Sequence, residues 1–231
     1  MLSGVTFAYG PHAEPVLRGL DLTVPEGNHL AIVGPSGIGK STLAGLLWPD
    51  AGTVTGGGTP AAELAWIGGR GPGADPAGGV FAGTVRENLT YLRPDATRAR
   101  IAAVGADHLV ARLGGLAGEP APAELSAGER QLVALAGAYP SPAELVVLDG
   151  ATCHLDPAAE RRAEEAFAAR GGTLTVIAHR ISSALRARRI LVLDGAGAAV
   201  GDHHSLRSGS PLYRQLLGHW GVGPVEPVAA G

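Results

Sequence analysis

The chain is nearly without lysine: of its 18 basic residues 17 are arginine, and the one lysine is Lys40. Arginine serves wherever a generic positive charge is needed. Lys40 therefore marks a place where a compact ammonium on a flexible stem suits better than a rigid planar fork. Cysteine is equally scarce, and Cys153 alone excludes an internal disulfide framework and fits a reducing compartment. No apolar run approaches the roughly 18 residues that span a bilayer. The opening MLSGVTFAYG lacks the charged-then-apolar pattern of a signal peptide. Both absences point to a soluble, cytoplasmic chain. An excess of positive charge is missing too: the net charge is −3 and the pI about 6.2, which excludes the basic footprint of a nucleic-acid-binding domain.

What is abundant is glycine, with 36 residues, and proline, with 17, close to the composition of disordered chains. Periodic apolar segments argue against disorder. The 231 residues suffice for one large α/β domain. Strand-like segments are VTFAY (5–9), VLRGLDLTV (16–24), HLAIVG (29–34), ELAWI (63–67), ELVVLD (144–149), TLTVIA (173–178) and RILVLD (189–194). A helix is expected from Lys40 to about Trp48. Strands alternating with helical patterns predict a doubly wound α/β core, preceded by antiparallel strands. A more helical region, about 84–139 and broken by the Gly/Pro/Ala stretch 114–123, reads as an inserted helical subdomain. Residues 68–79 read as a mobile loop and 221–231 as a frayed tail after a domain covering 1–220.

The segment GPSGIGKST comprises Gly34, Pro35, Ser36, Gly37, Ile38, Gly39, Lys40, Ser41 and Thr42. It follows a predicted strand, opens a predicted helix and matches G-x-x-x-x-G-K-[ST], a phosphate-binding loop. Its glycines let successive backbone N–H groups face a phosphate, with Lys40 reaching the β/γ-phosphates and Ser41 ligating Mg²⁺. A second segment, LSAGERQLVALAGAY (125–139), is by itself a helix start: Ser126 and Glu129 have the spacing of a capping box.

Taken together, these segments resemble the nucleotide-binding domain of ABC transporters, most closely the exporter branch, over nearly the whole of residues 5–220. LSAGE is similar to that family's LSGGQ-type signature, with Ala127 and Glu129 as variants flanking Gly128. The resemblance implies a phosphate-loop ATPase fold, and it assigns roles by position. Tyr9 would stack on adenine, Asp149 would hold Mg²⁺, Asp156 in HLDP would lie in the D-loop, and His179 in VIAHR would be the switch that contacts the γ-phosphate. VFAGTVRENLTYL and SPLYRQLL also look like the exporter branch. Taken without the resemblance, Asp156 followed by Pro157 is a helix N-cap with proline at the first helical position. His203 and His204 read as surface residues without metal-ligand spacing.

Three departures stand out. Gly150 occupies the position of the family's catalytic glutamate and has no side chain to polarise water. Gly69 is the nearest match to the glutamine that normally touches Mg²⁺. Glu119 keeps its register only approximately, and Gly137 stands where the family usually has arginine. The expectation is an ABC exporter's ATP-binding subunit or domain with an impaired site. It would bind ATP and Mg²⁺, pair with a second nucleotide-binding domain, more fittingly a different one, and act on transmembrane domains at the inner face of the plasma membrane. A regulatory ATP-binding module and a soluble ABC-type ATPase are the alternatives.

Overall fold

The computed structural model describes residues 2–10, 12–46, 55–58, 64–68, 80–90, 98–139, 141–195 and 197–220. Two sheets organise it. β1 (Leu2–Phe7), β2 (Leu17–Leu22) and β4 (Thr55–Gly58) form an antiparallel sheet in the order β2-β1-β4. The larger sheet holds β3 (His29–Val33), β5 (Leu64–Gly68), β6 (Leu145–Asp149), β7 (Thr173–Ile177), β8 (Arg189–Leu193) and β9 (Ala198–Gly201). Its order is β5-β6-β7-β3-β8-β9, parallel except for β9. HLAIV and LVVLD are buried along their whole length, as strands in the middle of a parallel sheet covered on both faces must be.

Register decides where function collects. Ile177 pairs with Ile32 on one side and with Asp149 on the other, so β3, β7 and β6 end level. Their carboxyl ends form the edge where α/β sheets take ligands.

Helix α1 (Lys40–Gly45) follows β3; the expected extension to Trp48 lies outside the described residues. Between β5 and β6 come α2 (Val85–Thr90), α3 (Arg98–Ala103), α4 (Asp107–Arg112) and α5 (Ala127–Ala138), the inserted helical part. After β6 come α6 (Pro157–Ala169), α7 (Ile181–Arg186), α8 (His203–Gly209) and α9 (Pro211–His219). Gly137 now has a structural reason: a β-carbon there would lie 3.0 Å from the Asn88 carbonyl oxygen, so the absence of a side chain lets α5 approach α2. A side chain there would require α2 to give way by a few tenths of an ångström. His203 is not a simple surface residue either, because its Nδ1 lies 3.0 Å from the Tyr213 hydroxyl and ties α8 to α9.

His29 makes a stability prediction. It is 8% exposed, and its Nε2 has no hydrogen-bond partner among the described residues. Burial, reinforced by Arg186 and Arg188, pushes its pKa from 6.5 down to about 4. The folded chain thus binds the proton more weakly than the unfolded one. His29's contribution is fully present above pH 6.5 and is lost as pH falls toward 4, up to about 3 kcal/mol. Urea unfolding at pH 7 and pH 4.5 should show His29→Phe losing less stability on acidification than the native chain; equal losses would contradict the assignment.

Candidate functional site

The phosphate-loop segment leaves β3 at the level edge and enters α1. Gly39, at the helix start, has φ 102°, and a β-carbon there would lie 2.5 Å from Val16 Cγ1, so only glycine fits. Ile38 seats the loop on the core beside Leu17, Leu20 and Leu193. Pro35, Ser36 and Gly37 are exposed, and Gly34, Ile38, Gly39, Lys40 and Thr42 are half-buried. Lys40 Nζ folds back over the loop and donates to the carbonyl oxygens of Gly34 (2.9 Å) and Pro35 (2.7 Å). Desolvation lowers the Lys40 pKa, and Asp149 opposes that shift.

Asp149 ends β6 and is 4% exposed. Ser41 hydrogen-bonds its carboxylate, yet Oδ2 is buried without a partner among the described residues. Burial raises the Asp149 pKa, while Ser41, His179 and Lys40 pull it down. A buried carboxylate oxygen with a spare acceptor beside a serine hydroxyl fits a hard cation. No group of three or more His, Cys, Asp or Glu side chains suited to a metal occurs among the described residues. That donor set suits Mg²⁺, which takes one or two carboxylates and completes its shell with water and phosphate oxygens.

His179 follows β7 and reaches the same edge. Its pKa is lowered by desolvation and by Lys40, against the pull of Asp149 and Glu160. Gly150 lies beside it: a β-carbon built there would sit 3.5 Å from His179 Nε2 and 3.9 Å from Cys153 Sγ. The Gly150 backbone has φ +64°, the left-handed region that L side chains enter at a cost of about 1–2 kcal/mol. Gly150 therefore lacks the carboxylate and also holds a backbone that a glutamate would adopt only under strain. Tyr9 projects 73% exposed from the end of β1, packs edge-on against Phe7 and hydrogen-bonds the Thr42 hydroxyl at the start of α1. Its ring thus lies exposed beside the phosphate loop.

The signature segment opens α5. The capping box is real: Ser126 Oγ accepts from the Glu129 N–H (3.2 Å) and Glu129 Oε2 accepts from the Ser126 N–H (2.8 Å). Those bonds hold the Glu129 carboxyl below its usual range, helped by an ion pair with Arg112. Ser126 remains exposed at the tip, with Ala127 and Gly128 half-buried behind it. Gly128 permits a close approach, since a β-carbon there would lie 2.8 Å from the His154 carbonyl oxygen. Asp156 caps α6, accepting from the N–H groups of Ala158 and Ala159 at 2.9 Å. The structure thus brings Gly34–Thr42, Asp149, Gly150, His179 and Tyr9 together. It sets Ser126–Glu129 and Asp156 on neighbouring surface. Gly69 lies outside the described residues.

Sequence reasoning missed two connections. Gln131, on α5, hydrogen-bonds the loop after β6 at both Gly150 and His154. Arg180, next to His179, donates to the Leu155 carbonyl oxygen (3.0 Å) and pairs with Glu160. Both span 19 or more residues, beyond any local pattern.

The family model described as "ABC transporter" matches residues 17–153. The chain belongs to the ABC transporter family. It is 56% identical to the ABC transporter ATP-binding protein RamB of Streptomyces coelicolor, over 95% of this chain and 38% of that protein. An ATP-dependent lipid A-core flippase of Chromobacterium violaceum is 38% identical over 92% of the chain and 39% of its own length. The solved structure of a bacterial Atm1-family ABC exporter with ATP bound superposes with TM-score 0.77 at 30% identity, covering 97% of this chain and 42% of that one. The chain is thus an ATP-binding component with exporter-like relatives, and it spans about two fifths of their length. No helix among its described residues is long and apolar enough to cross a membrane.

Proposed function

We propose that this ABC chain binds Mg-ATP at its own phosphate loop, hydrolyses it poorly, and completes a competent site on a partner chain with its signature. In a head-to-tail pair, each ATP would lie between one chain's Gly34–Thr42 loop and the other's Ser126–Glu129 segment, with Asp156 at the shared boundary. Lys40 holds the phosphates, Ser41 and Asp149 hold Mg²⁺, Tyr9 receives the adenine and His179 meets the γ-phosphate. Mg²⁺, when bound, neutralises phosphate charge. The observation that carries the reading is Gly150: its side-chain-free, left-handed backbone stands beside His179 and directly after the buried Asp149. Loss of a general base costs roughly 10²–10⁴-fold in rate. A partner that retains its glutamate makes an asymmetric heterodimer the fitting assembly. The two would act with transmembrane segments at the inner face of the membrane to export a substrate, with no nucleic acid involved.

The test is the ATPase of the two-chain complex. Ser126→Arg should lower it at least 100-fold by placing a bulky cation where the partner's γ-phosphate must fit. Ser126→Asp, which keeps the helix cap, should also abolish it by setting like charge against the phosphate. Unchanged hydrolysis with both variants would end the heterodimer reading.

A further inference from the structure

The loop that follows β6 is gripped from the signature helix by one side chain. Gln131 Nε2 donates to the Gly150 carbonyl oxygen at 2.8 Å and lies 3.3 Å from Cys153 Sγ; Gln131 Oε1 accepts from the His154 N–H at 2.8 Å. Both ends of the amide are thus engaged on residues 150–154, across 19 to 23 positions of sequence. Gly128, one turn earlier on the same helix, lets the backbone close onto His154. The carbonyl that Gln131 holds belongs to the left-handed Gly150 peptide, directly after the buried Asp149. The N–H it receives belongs to the residue two before Asp156.

We infer that Gln131 is a positioning residue that couples the chain's own nucleotide site to the signature surface it presents to a partner. The inference rests on the proposed ATP site. Asp149 and Ser41 sense the occupant of the phosphate loop, and Gly150 is the next peptide along. A shift of that peptide is passed through the amide to α5, whose first residues follow Ser126. An amide at this place is well suited to the task, because donor and acceptor grip two different peptides and cannot slide along one. Leucine has similar bulk but makes neither bond. Glutamate keeps the acceptor for His154 and loses the donor for Gly150.

Hydrogen exchange on the full chain, with and without Mg-ATP, separates this coupling from a packing role. In the native chain Mg-ATP should slow exchange at least fivefold in both the phosphate loop and residues 127–131. In Gln131→Leu the phosphate loop should still be protected, with ATP affinity within threefold of native, while the effect on 127–131 falls below twofold. Gln131→Glu should lose the transmitted effect as well, because the link to Gly150 is gone. Native-like protection of 127–131 in Gln131→Leu overturns the inference, as does its absence in the native chain while the phosphate loop is protected. If the phosphate loop itself gains no protection, the ATP site fails and the coupling fails with it. Failure of the heterodimer alone is read separately from the Ser126 variants.

Discussion

Replacing Arg186 with alanine is expected to destabilise the fold by about 3–5 kcal/mol, the cost of leaving buried charge without its partner. Glu160 and Glu164 lie one turn apart on α6, 2% and 0% exposed, and both face α7. Arg186 meets them together: Nη2 is 2.9 Å from Glu160 and 2.6 Å from Glu164, and Nε is 3.0 Å from Glu164. Ser183 adds bonds to both carboxylates at 2.9 and 2.8 Å, but a hydroxyl carries no compensating charge. Glu160 would keep Arg180, whereas Glu164 would keep only Ser183 and Thr152 among the described residues. Burial already raises the Glu164 pKa against the pull of Arg186. Without Arg186 it must rise further, so protonation on acidification would favour the folded variant. Urea unfolding should therefore show a large deficit at neutral pH that narrows as pH falls through the raised Glu164 value. Arg18→Ala, which breaks the exposed Glu14 pair, should cost less than about 1 kcal/mol and serves as the contrast. A similar small cost for Arg186→Ala would show that the network contributes little.

Lys40→Ala should weaken Mg-ATP binding at least 100-fold, about 3 kcal/mol. The ammonium is already drawn over the loop by two carbonyl oxygens and lies near the buried Asp149 carboxylate. Charge-assisted bonds to phosphate are each worth more than neutral ones, and a single methyl group replaces none of them. The fold should survive, because the loop is seated by Ile38 and its glycines rather than by Lys40. Equilibrium dialysis with Mg-ATP measures the affinity, and a thermal melt checks that the protein is intact. A change below threefold would remove Lys40 from the site.

Much of this was legible in the sequence for definite reasons. HLAIV and LVVLD are short, nearly continuous apolar runs and TLTVI is rich in β-branched residues, so the strands that carry the loop, Asp149 and His179 were found. The phosphate loop was legible because its glycines and lysine keep fixed spacing. β4 and β9 were missed: TGGG has three glycines in four residues and AAVG only small side chains, and neither shows alternation or strand propensity. Gly137 read as a missing arginine until the contact with Asn88 gave it a reason. The missing carboxylate at Gly150 was visible in sequence, but its left-handed backbone was not. Neither were the Gln131 and Arg180 tethers nor the Glu160–Glu164–Arg186 cluster, since partners 19 to 26 residues apart leave no periodic trace.

The most direct test of the central claim is hydrolysis and binding of Mg-ATP measured on one preparation of the full chain, at high protein concentration, against Lys40→Ala as background. The expected result is ATP binding that Lys40→Ala removes, together with a hydrolysis rate indistinguishable from that variant. Hydrolysis well above background that disappears in Lys40→Ala would show that another group does the work of the absent carboxylate, and would contradict a site that holds ATP without cleaving it.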